Sequence, residues 1–116
     1  MRRALFVFFL AGVVACGGGL ANAKSDFKKG RYGEAKEQLL ALEPDVKDWG
    51  ERRRAEYGLY RGLTHAALGD RAAAGVWLRE AKAIEDAHPR TLNDDDRARL
   101  NLALESLAAD SAPPSP

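Results

Sequence analysis

The chain has few residues suited to covalent or catalytic chemistry. Its 116 residues include one cysteine and two histidines, so no disulfide bond can form within the chain. His65 and His88 are far apart in sequence, and no glycine-rich phosphate loop precedes a predicted helix. The acidic run at residues 94–96 lacks the alternating spacing and the distal glutamate of a calcium-binding loop. The sequence therefore predicts no enzyme activity, no metal site and no cofactor.

The chain also lacks a substantial net charge of either sign. It has 18 lysines and arginines against 17 aspartates and glutamates. Removing Arg2 and Arg3 with an N-terminal leader would leave 16 against 17, a charge of −1. A chain with this balance has no excess of basic residues that could bind the phosphate backbone of a nucleic acid. We therefore expect no nucleic-acid partner.

Long apolar runs are confined to the N-terminus. A short basic start is followed by an apolar stretch over residues 4–15, which has the length typical of a signal peptide. Residues 4–23 are uncharged, so an uncleaved membrane anchor is an alternative. Three glycines at residues 17–19 and the polar Asn22 disfavour that alternative, because they are poor residues for a spanning helix. The pattern predicts a signal peptide over residues 1–15.

The single cysteine ends a motif that is typical of exported proteins. Val13, Val14, Ala15 and Cys16 form an aliphatic-aliphatic-small-Cys sequence, which resembles the lipobox of bacterial lipoproteins. The resemblance implies cleavage before Cys16, a thioether-linked diacylglycerol on its sulfur and a further acyl chain on its amine. Two or more chains give stable membrane anchoring. Lipoproteins that are not exported to the outer membrane have Asp after the cysteine. This chain has Gly17 at that position, so the resemblance implies a location at the periplasmic face of the outer membrane.

A competing cleavage signal lies a few residues later. Residues 21–23 (Ala-Asn-Ala) form a small-x-small site for ordinary signal peptidase, and cleavage after Ala23 would release a soluble periplasmic protein. That cleavage would discard Cys16. It would also divide a helical pattern, because Leu20, Ala23 and Phe27 recur on one face of a predicted helix. These two points favour the lipoprotein interpretation.

The remaining chain contains an internal repeat with a period of 39 residues. Residues 27–44 align with residues 66–86, and the two segments share a turn glycine and an Ala-x3-Leu spacing. The matching pairs are Gly30 with Gly69, Ala35 with Ala74, and Leu39 with Leu78. The segments resemble the tetratricopeptide repeat (TPR), which implies two antiparallel helical hairpins within residues 20–86.

Local signals predict where most of the helices begin and end. Gly30 and Gly69 mark helix ends, since glycine tolerates the left-handed conformation found there. Pro44 closes the second helix, and Asp48 with Glu51 three residues later predicts the N-terminus of the third helix near Trp49. No segment alternates like a strand, so the mature domain is predicted to be all-α.

A final helix follows the second repeat. Asn93 is its predicted cap, and the acidic residues 94–96 fall in its first turn, where the helix dipole favours negative charge. Its apolar face makes it a capping helix for the two TPR-like hairpins. We predict a helical domain over residues 16–110 and a disordered tail over residues 111–116.

Glycines inside the third helix also predict tight packing. Gly58 and Gly62 each weaken an isolated helix by up to about 1 kcal/mol relative to alanine. Four arginines on the same helix argue against a membrane dimer motif. Close approach of a neighbouring helix is the interpretation that we favour.

The TPR resemblance implies a partner-binding groove, and a basic run offers a second contact surface. The implied groove residues are Glu56, Leu59, Leu63 and Ala66. The two leucines are either groove residues or core residues, a choice that depends on the path of the fifth helix. Arg52, Arg53 and Arg54 could meet anionic headgroups or an acidic partner, although Glu51 and Glu56 beside them also fit an ordinary solvated surface.

Taken together, these signals predict a membrane-anchored interaction scaffold or assembly factor in a bacterial cell-envelope complex. Its partner would be another envelope protein or a peptide segment, with the membrane engaged through the lipid on Cys16. The alternatives are a soluble periplasmic TPR-like binding module cleaved after Ala23 and a regulatory subunit of an enzyme. Two repeats leave helix faces uncovered, so association between copies of the chain is a further expectation.

Overall fold

A computed structural model describes residues 19–111, which consist of helices joined by short turns. The five helices are α1 (Gly19–Lys28), α2 (Tyr32–Val46), α3 (Glu51–Ala67), α4 (Arg71–Ala87) and α5 (Asp94–Ser111). No strand occurs within this range. The all-α prediction is therefore confirmed. The predicted signal peptide at residues 1–15, Cys16 and residues 112–116 lie outside the described residues.

The helices are arranged in two layers. The pairs α1/α2 and α3/α4 form hairpins, and α5 packs against both α3 and α4. In the second hairpin, Gly58 faces Ala81 while Gly62 faces Leu78, so the two helices run antiparallel. Helix α3 also packs against α1 and α2, whereas no Cα atom of α2 lies within 8 Å of one in α4. One layer therefore consists of α1, α3 and α5, and the other consists of α2 and α4.

Most of the predicted turn and cap residues have the expected conformation. Gly30 and Gly69 have positive φ angles of 82° and 89° and end α1 and α3, as predicted. The side chain of Asn93 accepts a hydrogen bond from the backbone N–H of Asp96 at 2.8 Å, which confirms it as the cap of α5. Asp70 caps α4 in the same way through the N–H of Ala73.

Two helix boundaries differ from the predictions. Pro44 lies inside α2, which continues to Val46 because the last turn packs Val46 against a buried cluster. A proline in a last turn removes only one backbone donor. Asp48 does not cap α3: its own N–H bonds to Asp45 in the turn that follows α2. Gly50, in an extended conformation, precedes α3 without any side-chain cap.

The residues matched by the internal repeat occupy equivalent buried positions. Ala35 and Leu39 are buried on α2, and Ala74 and Leu78 are buried on α4. Leu20 and Ala23 of the predicted α1 face are also buried, and Phe27 packs at the edge of the core. The buried apolar side chains form two clusters. We call the larger one the main core and the smaller one the second core. The second core comprises Leu20, Ala23, Leu39 and Tyr57. The main core comprises Ala55, Leu59, Tyr60, Ala74, Leu78, Ala81, Ile84, Leu92 and Leu100.

The glycines of α3 allow α4 to approach closely. A Cβ atom built on Gly58 would lie 3.1 Å from the carbonyl oxygen of Trp77, and one on Gly62 would lie 2.5 Å from Cγ of Leu78. Leu78 is fully buried, so it has little freedom to move away. The predicted close approach of a neighbouring helix is confirmed.

Gly62→Ala is expected to destabilise the protein, by about 2 kcal/mol if overpacking is at the upper end of its usual range. Overpacking against Leu78 costs about 1–3 kcal/mol, and the gain in helix propensity offsets no more than about 1 kcal/mol of it. Chemical denaturation of the two proteins measures the difference. The matched control is Gly33→Ala in α2, where an added Cβ meets nothing within 4 Å. That variant should be as stable as the parent or more so, and a Gly62→Ala protein that behaved the same way would contradict the tight packing.

A buried carboxylate fixes the connection between α4 and α5. Glu85 accepts hydrogen bonds from the backbone N–H groups of Arg90 and Leu92, at 2.8 and 2.9 Å, and from Nε of Arg97 at 2.9 Å. Arg90 has a positive φ of 68°, an unfavourable conformation for a residue with a side chain. Glu85 therefore holds a strained turn in place, and through it sets the path of α5 over α3 and α4.

Candidate functional site

The structure separates the four residues of the predicted groove. Leu59 is 0% exposed and belongs to the main core. Leu63 and Ala66 are partly buried and pack against the same cluster. Leu59 is therefore a core residue that a partner cannot reach, because the neighbouring helices cover it. Glu56 is the one charged residue of the four, and its side chain lies in a polar network at the surface.

That network crosses the layer formed by α1, α3 and α5. Glu56 on α3 pairs with Lys24 on α1 at 3.4 Å and, at 4.0 Å, with Arg52 one turn earlier. The ammonium groups of Lys24 and Lys28 lie 5.6 and 5.8 Å from the ring centre of Tyr60. The Tyr60 hydroxyl in turn donates to Asp96 on α5 at 2.7 Å. We call this surface the basic face; its charged residues are Lys24, Lys28, Arg52, Glu56, Asp96 and Arg99.

The basic face carries more positive than negative charge. Four cations surround two carboxylates, and Arg99 contacts Asp96 at 3.7 Å. Burial raises the pKa of the Tyr60 hydroxyl, and its hydrogen bond to Asp96 raises that pKa further. Tyr60 therefore remains protonated and keeps donating to Asp96 at neutral pH. The surplus of positive charge suits a carboxylate-bearing segment of a partner protein.

The three consecutive arginines do not form one surface. Arg52 contacts Glu56 on the basic face, whereas the guanidinium of Arg53 lies 3.9 Å from the ring centre of Trp49. Arg54 lines a groove between α2 and α4. Consecutive residues on a helix are about 100° apart around its axis, which sends the three side chains in different directions. The predicted contact with anionic headgroups thus has no single patch of three arginines to support it.

A second polar cluster lies on the opposite side of α3, and it contains His65. Arg61 donates from Nε to Nε2 of His65 at 3.2 Å and from Nη1 to Glu43 at 2.7 Å and to the Tyr57 hydroxyl at 3.0 Å. The Arg61 guanidinium also stacks on Trp77, 4.3 Å from the ring centre. Arg61 therefore links His65 on α3 to Glu43 on α2, whereas Glu56 belongs to the basic face on the other side of α3.

His65 should make the stability of the fold dependent on pH. Burial lowers the pKa of His65 from 6.5, and the adjacent Arg61 lowers it further. Below about pH 6.5 the unfolded chain therefore binds more protons than the folded chain, so stability falls as the pH decreases. Denaturation at several values between about pH 7 and pH 5 measures this slope. His65→Gln should reduce it, and the exposed His88→Gln is the matched control. An unchanged slope in His65→Gln would contradict the burial of a neutral histidine.

Several important polar residues gave no signal in the sequence. Asp96 was assigned to the helix dipole, but it is buried and accepts from Tyr60, 36 residues earlier. Glu85 was not singled out either, although it is buried and hydrogen-bonded. Their partners lie on other helices or in an irregular turn, so no local spacing reveals them. A charged residue on the apolar side of a predicted helix was the one available indication.

Within residues 19–111, none of the five helices is long and apolar enough to cross a membrane, and no three potential ligand side chains cluster to hold a metal ion. No protein-family model matches the chain. Neither a curated protein nor a solved structure matches it.

Proposed function

We propose that the protein is a membrane-anchored interaction scaffold or assembly factor of the bacterial cell envelope, held by a lipid on Cys16. The observation that carries the anchor is the position of α1. It begins at Gly19, and its residues Leu20 and Ala23 are buried in the second core. Cleavage after Ala23 would remove both side chains from the fold, whereas cleavage before Cys16 retains them. The structure of α1 thus supports the lipoprotein interpretation over the soluble alternative.

The anchor would also hold the domain close to the membrane. Two residues separate Cys16 from Gly19, and the three steps from one Cα to the next reach at most about 10 Å. A domain on such a short tether meets membrane-bound partners at a raised effective concentration. Tethering and binding, without chemistry, are the mechanism that we propose. In a Gram-negative cell the proposed location is the periplasmic face of the outer membrane, as the glycine after Cys16 implies.

The basic face is the proposed binding surface for a partner protein. Its four cations outnumber its two carboxylates, and they come from three different helices. A partner segment that presents Asp or Glu side chains would gain charge-assisted hydrogen bonds there. The proposed contacts involve Lys24, Lys28 and Arg99, with Glu56 fixing the position of Lys24.

Intact mass of the full-length protein, extracted from bacterial membranes, tests the anchor. We expect a species that begins at Cys16 and carries the added mass of a diacylglyceryl group and an acyl chain. Cys16→Ala should remove that mass and prevent lipid anchoring. An unmodified species that begins at Lys24 would reject the anchor and favour the soluble periplasmic module.

Charge reversal tests the binding surface independently of the anchor. Lys28→Glu and Arg99→Glu should each release a co-purifying envelope protein captured by the parent chain. The matched control is Lys82→Glu, which reverses an exposed charge on α4. Equal capture by all three variants would exclude the basic face as the binding surface, whatever the state of Cys16.

A further inference from the structure

One end of the domain lies beside the proposed anchor. Helix α1 begins at Gly19, and a Cβ atom built there would lie 2.7 Å from Cδ2 of Leu42 near the end of α2. The turn over residues 47–50 and the start of α3 follow directly. The imidazole Nε2 of His88, the residue after α4, lies 2.8 Å from the carboxylate of Glu51. We call this surface the tethered end; it comprises Gly19, residues 47–51 and His88.

The tether brings this end of the domain to the bilayer. An acylated Cys16 holds Gly19 within about 10 Å, which is the reach of three Cα steps. Helix α3 has 17 residues and is therefore about 25 Å long, so the turns at the opposite end of the hairpins lie beyond that reach. The tethered end is thus the part of the domain that the anchor keeps nearest to the lipids.

Trp49 gives the tethered end a side chain suited to that position. Its ring meets Tyr57 edge to face at 5.9 Å, and the Arg53 guanidinium lies 3.9 Å from the ring centre. The ring is only partly buried, although it packs against the second core. Tryptophan favours the boundary between hydrocarbon and water, because its large ring is apolar and its N–H is polar. Arginine places its apolar stem along such a boundary and its charge in water.

The charges around the tethered end are balanced. Residues 45–54 and 88–95 include five lysines and arginines and five aspartates and glutamates, together with His88. Attraction to anionic lipids therefore contributes little at this surface. The tether and the aromatic ring would hold it at the membrane, so contact with an uncharged phospholipid surface is expected as well.

We propose that the tethered end rests on the phospholipid bilayer, with Trp49 at the boundary between headgroups and acyl chains and Arg53 among the headgroups. The inference rests on the proposed anchor and deepens it, because it fixes how the domain stands on the membrane. In this orientation the helices point away from the bilayer. The basic face then remains at the side of the domain, where a partner protein can reach it.

Quenching of tryptophan fluorescence by lipids with brominated acyl chains tests the orientation. The lipidated full-length protein, purified from bacterial membranes, is reconstituted into phosphatidylcholine vesicles with and without the brominated lipid. Trp77→Phe leaves Trp49 as the only tryptophan, and Trp49→Phe leaves Trp77 as the matched control. Trp77 lies beside Gly58, which is seven residues, or about 10 Å, along α3 from Glu51. We expect the brominated lipid to lower Trp49 emission about twofold or more and to leave Trp77 emission nearly unchanged.

A third variant reports on the basic face. It carries Lys28→Trp in a chain in which both native tryptophans are replaced by phenylalanine. Stronger quenching at position 28 than at Trp49, equal quenching of Trp49 and Trp77, or no quenching of Trp49 would overturn the proposal. Each variant is compared with the parent by its melting temperature, and tyrosine takes the place of phenylalanine where that temperature falls.

Intact mass of the same samples separates failure of the orientation from failure of the anchor. A chain that carries no lipid and does not bind the vesicles would reject the anchor and the orientation together. A lipidated, vesicle-bound chain whose Trp49 is not quenched would reject the orientation alone.

Discussion

Leu59→Ala is expected to lower the free energy of unfolding by about 2–5 kcal/mol, which is the usual cost of removing a fully buried leucine. The side chain is 0% exposed, and the neighbours in the main core include Tyr60, Leu78 and Leu100 from three helices. A cavity at that point cannot be filled without moving several helices. Urea denaturation with the parent and the variant measures the change.

The same experiment separates a core residue from a binding residue. Leu102→Ala is the matched control, because Leu102 on α5 is 67% exposed and should change stability by less than about 0.5 kcal/mol. If Leu59 belonged to an open groove, its replacement would also leave stability nearly unchanged. That result would mean that α5 does not cover α3 as the structure shows.

Glu85→Ala should destabilise the fold by about 2–4 kcal/mol. The substitution leaves the N–H of the buried Leu92 without an acceptor, and a buried unsatisfied donor costs about 1–3 kcal/mol. It also releases the strained turn at Arg90. Thermal and chemical denaturation measure the loss, with Glu105→Ala on the exposed side of α5 as the control.

The pH dependence of the parent protein gives a second test of Glu85. Its hydrogen bonds to Leu92, Arg97 and Arg90 outweigh the effect of burial and lower the pKa of the carboxyl from 4.5. The unfolded chain therefore takes up a proton before the folded chain does, so this contribution to stability is lost as the pH falls below about 4.5. The pH range in which Glu85 loses its contribution lies below the range for His65, so one titration series can distinguish the two groups. Glu85→Ala should lack the lower transition and retain the upper one.

The spacing of the apolar residues and the turn and cap residues at the helix ends predicted the helices well. The faces that contain Leu20 and Ala23, and the matched pairs Ala35 with Leu39 and Ala74 with Leu78, are buried as expected. Helix ends at Gly30 and Gly69 and the cap at Asn93 follow from interactions between residues a few positions apart. The two errors, at Pro44 and Asp48, concern a helix end, where a single contact decides among nearly equal conformations.

The candidate site was predicted less well. Glu56 was selected for its place in a repeat, and it does belong to a charged network. Its partners Lys24, Lys28 and Arg99 come from helices that no spacing rule connects to α3. Arg52, Arg53 and Arg54 looked like one patch in the sequence because they are adjacent, and the helix rotation separated them.

The sequence by itself determined the helical class, the hairpin pattern and the near balance of positive and negative charge, because each depends on composition or on residues within one or two turns. The tertiary structure alone decided that Leu59 is core, that Asp96 and Glu85 are buried acceptors, and that the charged residues divide between two opposite surfaces. Those outcomes depend on how α5 crosses α3 and α4. That path is set by contacts between residues far apart in the chain, whose spacing carries no local signal.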